Sequence, residues 1–310
     1  MARHRCLRRL VQTLSALALL AGLLAQTGDS LAGWREDMKT FRVGMIAEPG
    51  ADQTVAGLAT LKQAYAQALG MPVEIFVARD YAALIDAQAT QRVDYALYST
   101  TAYATTALLC ACVEPIAAPV SDDGATGIKA ILVTRDGRLQ KASDVGTHRI
   151  AIAALDSIAG FALPQLELAA GQPLTGSEPF LIHAESASAA EAMLVDGSVD
   201  AIFGWLPANA GAEFPGGTLQ RLEDAGLDKA SLSVVWKSSL LRYGPHALRS
   251  GLDPDLRKAL VTFLTGLRET QPDTYDLLEP HRGGGFAEVS AGDYATALDM
   301  VRALAGRAER

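Results

Sequence analysis

A repeated alternation of short apolar segments with longer amphipathic ones constrains the fold of this chain more than any other feature. The first strands are predicted at residues 41–46, 73–77 and 93–98, with helices at 54–69 and 80–89 between them. Strands separated by helices usually run parallel, with the helices covering both faces of the sheet. The alternation therefore predicts an α/β fold with mostly parallel sheets.

The alternation restarts in the middle of the chain, after a break. Segments bearing Gly or Pro at 119–127 and 240–247 separate this second run from the first run and from the C-terminal region. We therefore predict two α/β lobes crossed twice by the chain, with lobe 1 formed by 33–122 and 245–310 and lobe 2 by 123–244. Further strands are predicted at 128–134, 149–153, 180–183 and 199–203, and further helices at 100–109, 159–170, 188–195, 254–268, 273–278 and 293–305.

The N-terminus has the layout of a secretory signal peptide. An arginine-rich head precedes an apolar run from Leu10 to Leu24, and Ser30-Leu31-Ala32 offers small residues for cleavage. The apolar run is shorter than the ~20 residues of a membrane span, although an uncleaved anchor is the alternative. We predict cleavage of residues 1–32 and export to the periplasm. Cleavage removes Cys6 and lowers the formal net charge from -8 to -11.

Composition and motifs exclude several function classes. The acidic balance argues against nucleic-acid binding, which needs clustered Lys and Arg. The sequence contains no G-x-S-x-G, G-x-x-x-x-G-K-[ST] or H-E-x-x-H pattern. The prediction is therefore a binding protein without a cofactor and not an enzyme. A periplasmic hydrolase with Ser157 as nucleophile is the remote rival.

Two strand–helix junctions carry hydroxyl groups where ligands usually bind in α/β folds. One is the segment from Ser99 to Tyr103, and the other runs from Asp156 to Gly160. Helix N-termini offer free N–H groups and partial positive charge, which suit small anions. Ordinary helix capping is the alternative explanation for both. Two lobes that face each other form a cleft between them, and this cleft is expected to close by hinge motion.

Two aromatic residues outside these junctions are candidates for the cleft wall. Trp205 follows the predicted strand that ends at Phe203, although core packing explains it equally well. Tyr243 and His246 flank Pro245 at the second crossing between lobes, where they would gate a ligand or sit in a hinge, with a surface position as the default.

The order of segments resembles the PhnD-like periplasmic substrate-binding proteins of phosphonate, phosphite and phosphate ABC transporters. The matching stretches are 80–85, 93–96, 113–117, 142–146, 196–201, 285–286 and 293–294. The resemblance implies a two-lobed type II periplasmic binding fold over nearly the whole mature chain. It also implies a monomer that binds a small oxyanion between two helix N-termini and presents it to a membrane ABC permease. The ligand-binding residues implied in this way are Ser99, Thr100, Thr101, Tyr103, Asp156, Ser157, Ile158 and Ala159.

The second junction departs from the family pattern. The family loop Ser-Thr-Ser-Gly is replaced by Ser157-Ile158-Ala159-Gly160, and Asp156 adds a carboxylate beside it. A carboxylate there repels a dianion unless it is protonated or paired. The predicted pocket therefore suits a less charged ligand.

Cys110 and Cys112 raise an alternative. Two thiols spaced by two residues in an extended strand share one face and suit trivalent arsenic. The PhnD-like family includes arsenite-binding AioX-like sensors, which imply a membrane sensor histidine kinase as partner. A disulfide between the two closes a very small ring, and simple packing of two small residues is the competing interpretation.

Overall fold

The computed structural model describes residues 33–46, 57–155, 157–168, 174–208 and 216–308. The predicted signal peptide, residues 1–32, lies outside this part of the chain. Within the described part, no helix is both long and apolar enough to cross a membrane.

The chain forms two mixed β-sheets, each covered by helices. The first contains β1 to β4 and the two C-terminal strands, in the order β12-β4-β11-β3-β1-β2. The second has the order β10-β5-β8-β6-β7, with β9 paired to β5. The strands are β1 (Phe41–Ile46), β2 (Val73–Ala78), β3 (Tyr95–Leu97), β4 (Val113–Ser121), β5 (Gly127–Arg135), β6 (Ile150–Ile152), β7 (Leu181–His183), β8 (Ala201–Pro207), β9 (Leu232–Lys237), β10 (Leu241–Arg242), β11 (His246–Arg249) and β12 (Gly283–Glu288).

The prediction of mostly parallel sheets is wrong. The pairs β1–β2, β1–β3, β6–β7 and β6–β8 are parallel, but every described pairing made by β4, β5, β11 and β12 is antiparallel. β11 inserts between β3 and β4 after the chain returns from the second sheet. A returning strand of this kind leaves no trace in a local alternation of strands and helices. The α/β class and the two-lobed architecture are confirmed.

The helices follow local signals in the sequence. The side chain of Asp80 accepts a 2.7 Å hydrogen bond from the N–H of Ala83 and so begins the helix that ends at Ala89. The helices are α1 (Gly33–Met38), α2 (Leu58–Leu69), α3 (Tyr81–Ala89), α4 (Thr100–Cys110), α5 (Leu163–Glu167), α6 (Ala187–Asp196), α7 (Gly217–Asp224), α8 (Pro254–Thr270), α9 (Pro272–Leu278) and α10 (Ala295–Ala308). A π-helical turn, Ile158–Ala162, precedes α5, and 3₁₀ turns cover Ala142–Thr147, Lys229–Ser231 and Ala291–Tyr294.

Each lobe has a buried core beneath its sheet. In α8 the apolar residues Leu256, Leu260, Leu264 and Leu267 recur at helical spacing and are fully buried. They belong to the same cluster as Tyr95 of β3. This packing fixes the C-terminal part of the chain against the first sheet.

The second crossing between the lobes, at residues 240–247, is hydrogen-bonded to the start of α4 and to the 3₁₀ turn before α10. The hydroxyl of Thr100 donates to the carbonyl of Arg242 at 2.7 Å, and the hydroxyl of Tyr294 donates to the carbonyl of Tyr243 at 2.8 Å. The guanidinium of Arg242 also pairs with Asp293 at 2.8 Å. The start of α4 is therefore held against the chain that enters β11.

Candidate functional site

A cavity of about 700 Å³ opens at the carboxyl ends of β1 and β3. Ligands bind at this edge in open α/β sheets, and the volume lies within the range of small-molecule sites. Much of the wall is apolar, and Ser99, Thr100, Tyr243 and His246 supply hydroxyl and imidazole groups. The cavity is lined by Met45, Ile46, Leu61, Tyr81, Leu97, Tyr98, Ser99, Thr100, Pro119, Tyr243, Gly244, Pro245, His246, Asp276, Leu277, Leu278, Glu279, Pro280 and Arg282.

Ser99 is the N-cap of α4 at the cavity wall. Its side chain accepts the N–H of Ala102 at 3.2 Å, which satisfies one of the orphan donors at the helix start. The N–H groups of Thr100 and Thr101 have no acceptor among the described residues. Two backbone donors and the positive end of α4 therefore remain available beside the cavity.

The other residues of the first junction have different surroundings. The hydroxyl of Thr101 lies 3.4 Å from that of Ser99, close to the helix start. Tyr103 is buried, and its ring packs edge-on against Tyr294 with 4.8 Å between centroids. Burial, reinforced by the Glu114 carboxylate, raises the pKa of Tyr103 to about 12. Tyr103 therefore packs against the C-terminal region and does not line the cavity.

The second junction forms a capped helix start in lobe 2. Ser157 accepts the N–H of Gly160 at 3.2 Å, and the N–H of Ala162 reaches back to the Ser157 carbonyl at 2.9 Å, which makes the turn π-helical. A Cβ on Gly160 would lie 2.7 Å from the Ser157 hydroxyl oxygen and 2.8 Å from the Cβ of Ala153, so a side chain here would force its neighbours to move. Ile158 and Ala159 follow the cap and pack with Tyr98 and its neighbours in one apolar cluster. Asp156 lies outside the described residues.

These second-junction residues do not line the 700 Å³ cavity within the described part of the chain. The structure therefore brings Ser99, Thr100 and Tyr243 to one cavity but leaves Ser157, Ile158 and Ala159 on the other lobe.

Trp205 also lies on lobe 2, away from the lining of the cavity. Its backbone N–H donates to the Thr218 hydroxyl at 3.0 Å. The guanidinium of Arg221 lies 5.4 Å from the centre of its ring and pairs with Glu191. These contacts give Trp205 a packing role within the lobe.

Tyr243 lines the cavity at the second crossing. Its hydroxyl lies 3.1 Å from that of Ser121, and the guanidinium of Arg282 stacks 4.2 Å from its ring centre. Arg282 also pairs with Glu279 at 2.9 Å, so its charge is largely neutralised. The neighbouring Gly244 approaches α4 so closely that an added Cβ would lie 2.0 Å from the carbonyl oxygen of Tyr98.

His246 lines the cavity, and its burial differs most from the position that the sequence predicts. It is 4% exposed, not a surface residue, and its Nδ1 is hydrogen-bonded to the hydroxyl of Tyr95. That hydroxyl lies 3.0 Å from the hydroxyl of Tyr65. Burial lowers the pKa of His246 from 6.5 to about 3. The signal was absent because β11, which carries His246, was not predicted as a strand.

The two cysteines form a disulfide, with 5.0 Å between their Cα atoms. Cys110 ends α4, about 15 Å from the N-terminus of that helix at a rise of 1.5 Å per residue. The pair therefore has no free thiolate and lies at the end of α4 opposite the cavity. Among the described residues, no group of three or more His, Cys, Asp and Glu side chains is arranged to hold a metal ion.

Comparison with known proteins identifies related sequences and folds. A family model for the periplasmic substrate-binding protein of phosphonate ABC transporters matches residues 43–294. A Xanthomonas citri protein solved bound to ATP has 15% identity and a TM-score of 0.56, over 87% of this chain and 98% of that one.

Two further solved structures are also similar. Transferrin 1 from Manduca sexta has 12% identity and a TM-score of 0.57, over 86% of this chain but 46% of its own. A binding protein component of an ABC phosphonate transporter from Pseudomonas aeruginosa has 20% identity and a TM-score of 0.43, over 87% of this chain and 96% of that one.

Proposed function

The chain belongs to the family of periplasmic substrate-binding proteins of phosphonate ABC transporters, and we propose that it captures a small oxyanion of the phosphonate, phosphite or phosphate type. The protein presents this ligand to a membrane ABC permease. Its place of action is the periplasm, after removal of residues 1–32.

The observation that carries the proposal is the start of α4 at the cavity. The N–H groups of Thr100 and Thr101 lack acceptors among the described residues, and Ser99 and Thr100 line the cavity. Donors fixed by the backbone bind an oxyanion without help from a cationic side chain. This matters because the formal net charge of the chain is -8, so the overall field opposes anions.

Lobe 2 supplies the second set of donors in this proposal. Ser157 caps its helix as Ser99 does, and the N–H groups of Ile158 and Ala159 have no acceptor among the described residues. Closure of the lobes brings both helix starts onto one ligand. Only a ligand that contacts both lobes favours the closed form, and that form docks on the permease.

Matched substitutions at Thr100 test the proposal. Proline is tolerated at the first position of a helix, and Ser99 already has the extended backbone that a following proline needs (φ -70°, ψ 161°). Thr100→Pro therefore deletes one N–H group, whereas the control Thr100→Ala deletes only the hydroxyl. We expect calorimetric affinity for methylphosphonate, phosphite or phosphate to fall at least tenfold more in Thr100→Pro than in Thr100→Ala. Equal affinities in the two variants would contradict binding at this helix start.

The arsenite-sensor and hydrolase alternatives gain no support at the cavity. The cysteines are joined to each other at the far end of α4. The hydroxyl of Ser157 accepts a backbone N–H as an ordinary cap.

A further inference from the structure

The floor of the cavity contains a buried chain of three polar side chains. The Tyr65 and Tyr95 hydroxyls are 3.0 Å apart, and the Tyr95 hydroxyl is bonded to Nδ1 of His246. Both tyrosines are fully buried, and His246 lines the cavity. The chain therefore runs from the core of lobe 1 to the cavity surface.

The direction of these hydrogen bonds follows from what lies at each end. If Nδ1 of His246 donated to Tyr95, and Tyr95 to Tyr65, the Tyr65 hydroxyl hydrogen would have no acceptor among the described residues. A buried hydroxyl without an acceptor is costly. In the opposite direction Tyr65 donates to Tyr95, Tyr95 donates to Nδ1, and every hydrogen in the core has an acceptor.

This direction fixes the tautomer of His246. With Nδ1 as acceptor, the neutral ring carries its hydrogen on Nε2. Nε2 has no partner among the described residues, and it is not among their fully enclosed unpartnered side-chain atoms. The ring also packs edge-on against Phe286, with 4.6 Å between centroids. The Nε2–H group of His246 is therefore a free donor that faces the cavity. Tyr95 and Phe286 hold the ring in place.

His246 is close to the proposed oxyanion site but separate from it. His246 pairs with Leu97 across the sheet, and Ser99 follows Leu97 by two residues. Two residues of extended chain span roughly 7 Å. One ligand with a short organic substituent therefore reaches both the start of α4 and Nε2 of His246.

We propose that His246 is a neutral hydrogen-bond donor to the organic substituent of the ligand. The ligand class is an oxyanion, such as a phosphonate or phosphate monoester, whose substituent of three to five atoms carries an uncharged acceptor oxygen. The inference rests on the proposed oxyanion function and extends it. The volume of about 700 Å³ and the apolar walls, which include Met45 and Leu277, suit such a substituent better than a bare inorganic ion.

The experiment uses three probes of increasing reach. Calorimetry compares methylphosphonate, propylphosphonate and 3-hydroxypropylphosphonate on the mature protein. We expect the hydroxylated probe to bind at least tenfold more tightly than propylphosphonate. In His246→Leu that advantage disappears, because leucine carries no hydrogen-bond donor. His246→Gln restores part of the advantage, because its amide keeps an N–H donor.

A second measurement reads the tautomer directly and covers the case in which His246→Leu fails to fold. Two-bond ¹H–¹⁵N NMR spectra of the mature wild-type protein, assigned with His246→Gln, should show a neutral ring with its hydrogen on Nε2. In Tyr95→Phe, Nδ1 loses the hydroxyl that holds the ring in place, and the advantage of the hydroxylated probe should shrink.

The outcomes separate this inference from the proposed function. An Nδ1–H ring in the wild type, or equal affinity for propyl- and hydroxypropylphosphonate, overturns the role of His246 and leaves oxyanion binding intact. Failure of all three probes, and of phosphite and phosphate, to bind overturns the proposed function and this inference with it.

Discussion

The hydroxyl of Thr100 donates a 2.7 Å hydrogen bond to the carbonyl oxygen of Arg242. This bond joins the first turn of α4 to the segment through which the chain passes from lobe 2 back to lobe 1. The helix start proposed to bind the oxyanion is thus in direct contact with this crossing between the lobes.

Gly244 lies in the same crossing, close to Tyr98 and Ser99, and is expected to tolerate no side chain. Gly244→Ala places a methyl group 2.0 Å from the Tyr98 carbonyl oxygen and 2.8 Å from the Cα of Ser99. Backbone must move, so we expect a loss of about 1–3 kcal/mol in unfolding free energy together with weaker ligand binding. The control Gly266→Ala meets no atom within 4 Å in α8. It should stabilise the protein by up to about 1 kcal/mol and leave binding unchanged. Urea denaturation and calorimetry measure both effects, and equal stability of the two variants would contradict the close approach.

Acid should destabilise the protein partly through His246. Its pKa is about 3 in the folded protein and 6.5 when unperturbed. Between these two values the unfolded chain is protonated at His246 and the folded protein is not. The free energy of unfolding therefore falls as pH drops from about 6.5 toward 3. The slope contributed by this one group approaches ~1.4 kcal/mol per pH unit.

The contribution of His246 is measured as the difference between wild type and His246→Gln in urea denaturation from pH 4 to 7. The subtraction matters because carboxylates with lowered pKa, such as Asp200 and Asp293, lose stability in the same direction. The charged groups that share the cavity are Asp276, Glu279 and Arg282. A difference that does not change with pH would contradict a neutral, buried imidazole.

Removal of the disulfide should leave ligand affinity within twofold of wild type. Cys110 and Cys112 lie about 15 Å along α4 from Ser99. The double variant Cys110→Ser/Cys112→Ser tests this by calorimetry, with dithiothreitol-treated wild type beside it. Arsenite binding by the reduced protein that is lost in the double variant would instead support the sensor alternative.

Asp94 should be the most costly carboxylate to remove from lobe 1. It is 1% exposed and pairs with Arg42 at 2.8 Å and Arg249 at 3.2 Å. Asp94→Asn leaves both guanidinium groups without their counter-charge, and we expect a loss of ~3–5 kcal/mol. The control Asp299→Asn removes an exposed partner of Arg302, and surface pairs of this kind contribute ~0–1 kcal/mol. Thermal denaturation that shows equal effects for the two variants would contradict the buried cluster.

Local signals in the sequence were enough for elements with caps and regular periodicity. Asp80 and Ser99 begin helices as predicted, and β1 has the predicted bounds. β11 and β12 were missed, because His-Ala-Leu-Arg and a strand starting with three glycines lack β-branched residues. Their strand conformation comes from pairing with β3 and β4, which lie far away in the sequence.

The residues of the candidate site also divide into those with a local signal in the sequence and those that distant parts of the chain bring together. Ser99 and Thr100 were found because a helix start bearing hydroxyl groups is visible locally. Nothing local indicates that Tyr65, Tyr95 and His246 meet, since 151 positions separate the last two. The position of Trp205 after a strand predicts a cleft wall, and in the structure it contacts Thr218 and Arg221 and packs against the apolar cluster that contains Tyr98.

The strand order of the first sheet has a consequence for the newly made chain. β12, residues 283–288, forms one edge of that sheet and β11 lies in its interior, whereas the described strands of the second sheet all lie between residues 127 and 242. Lobe 1 therefore remains incomplete until almost all of the chain has been synthesised. Contacts across such sequence separations form slowly. For the export proposed above this delay is an advantage, because the chain can reach the membrane before lobe 1 has completed its sheet.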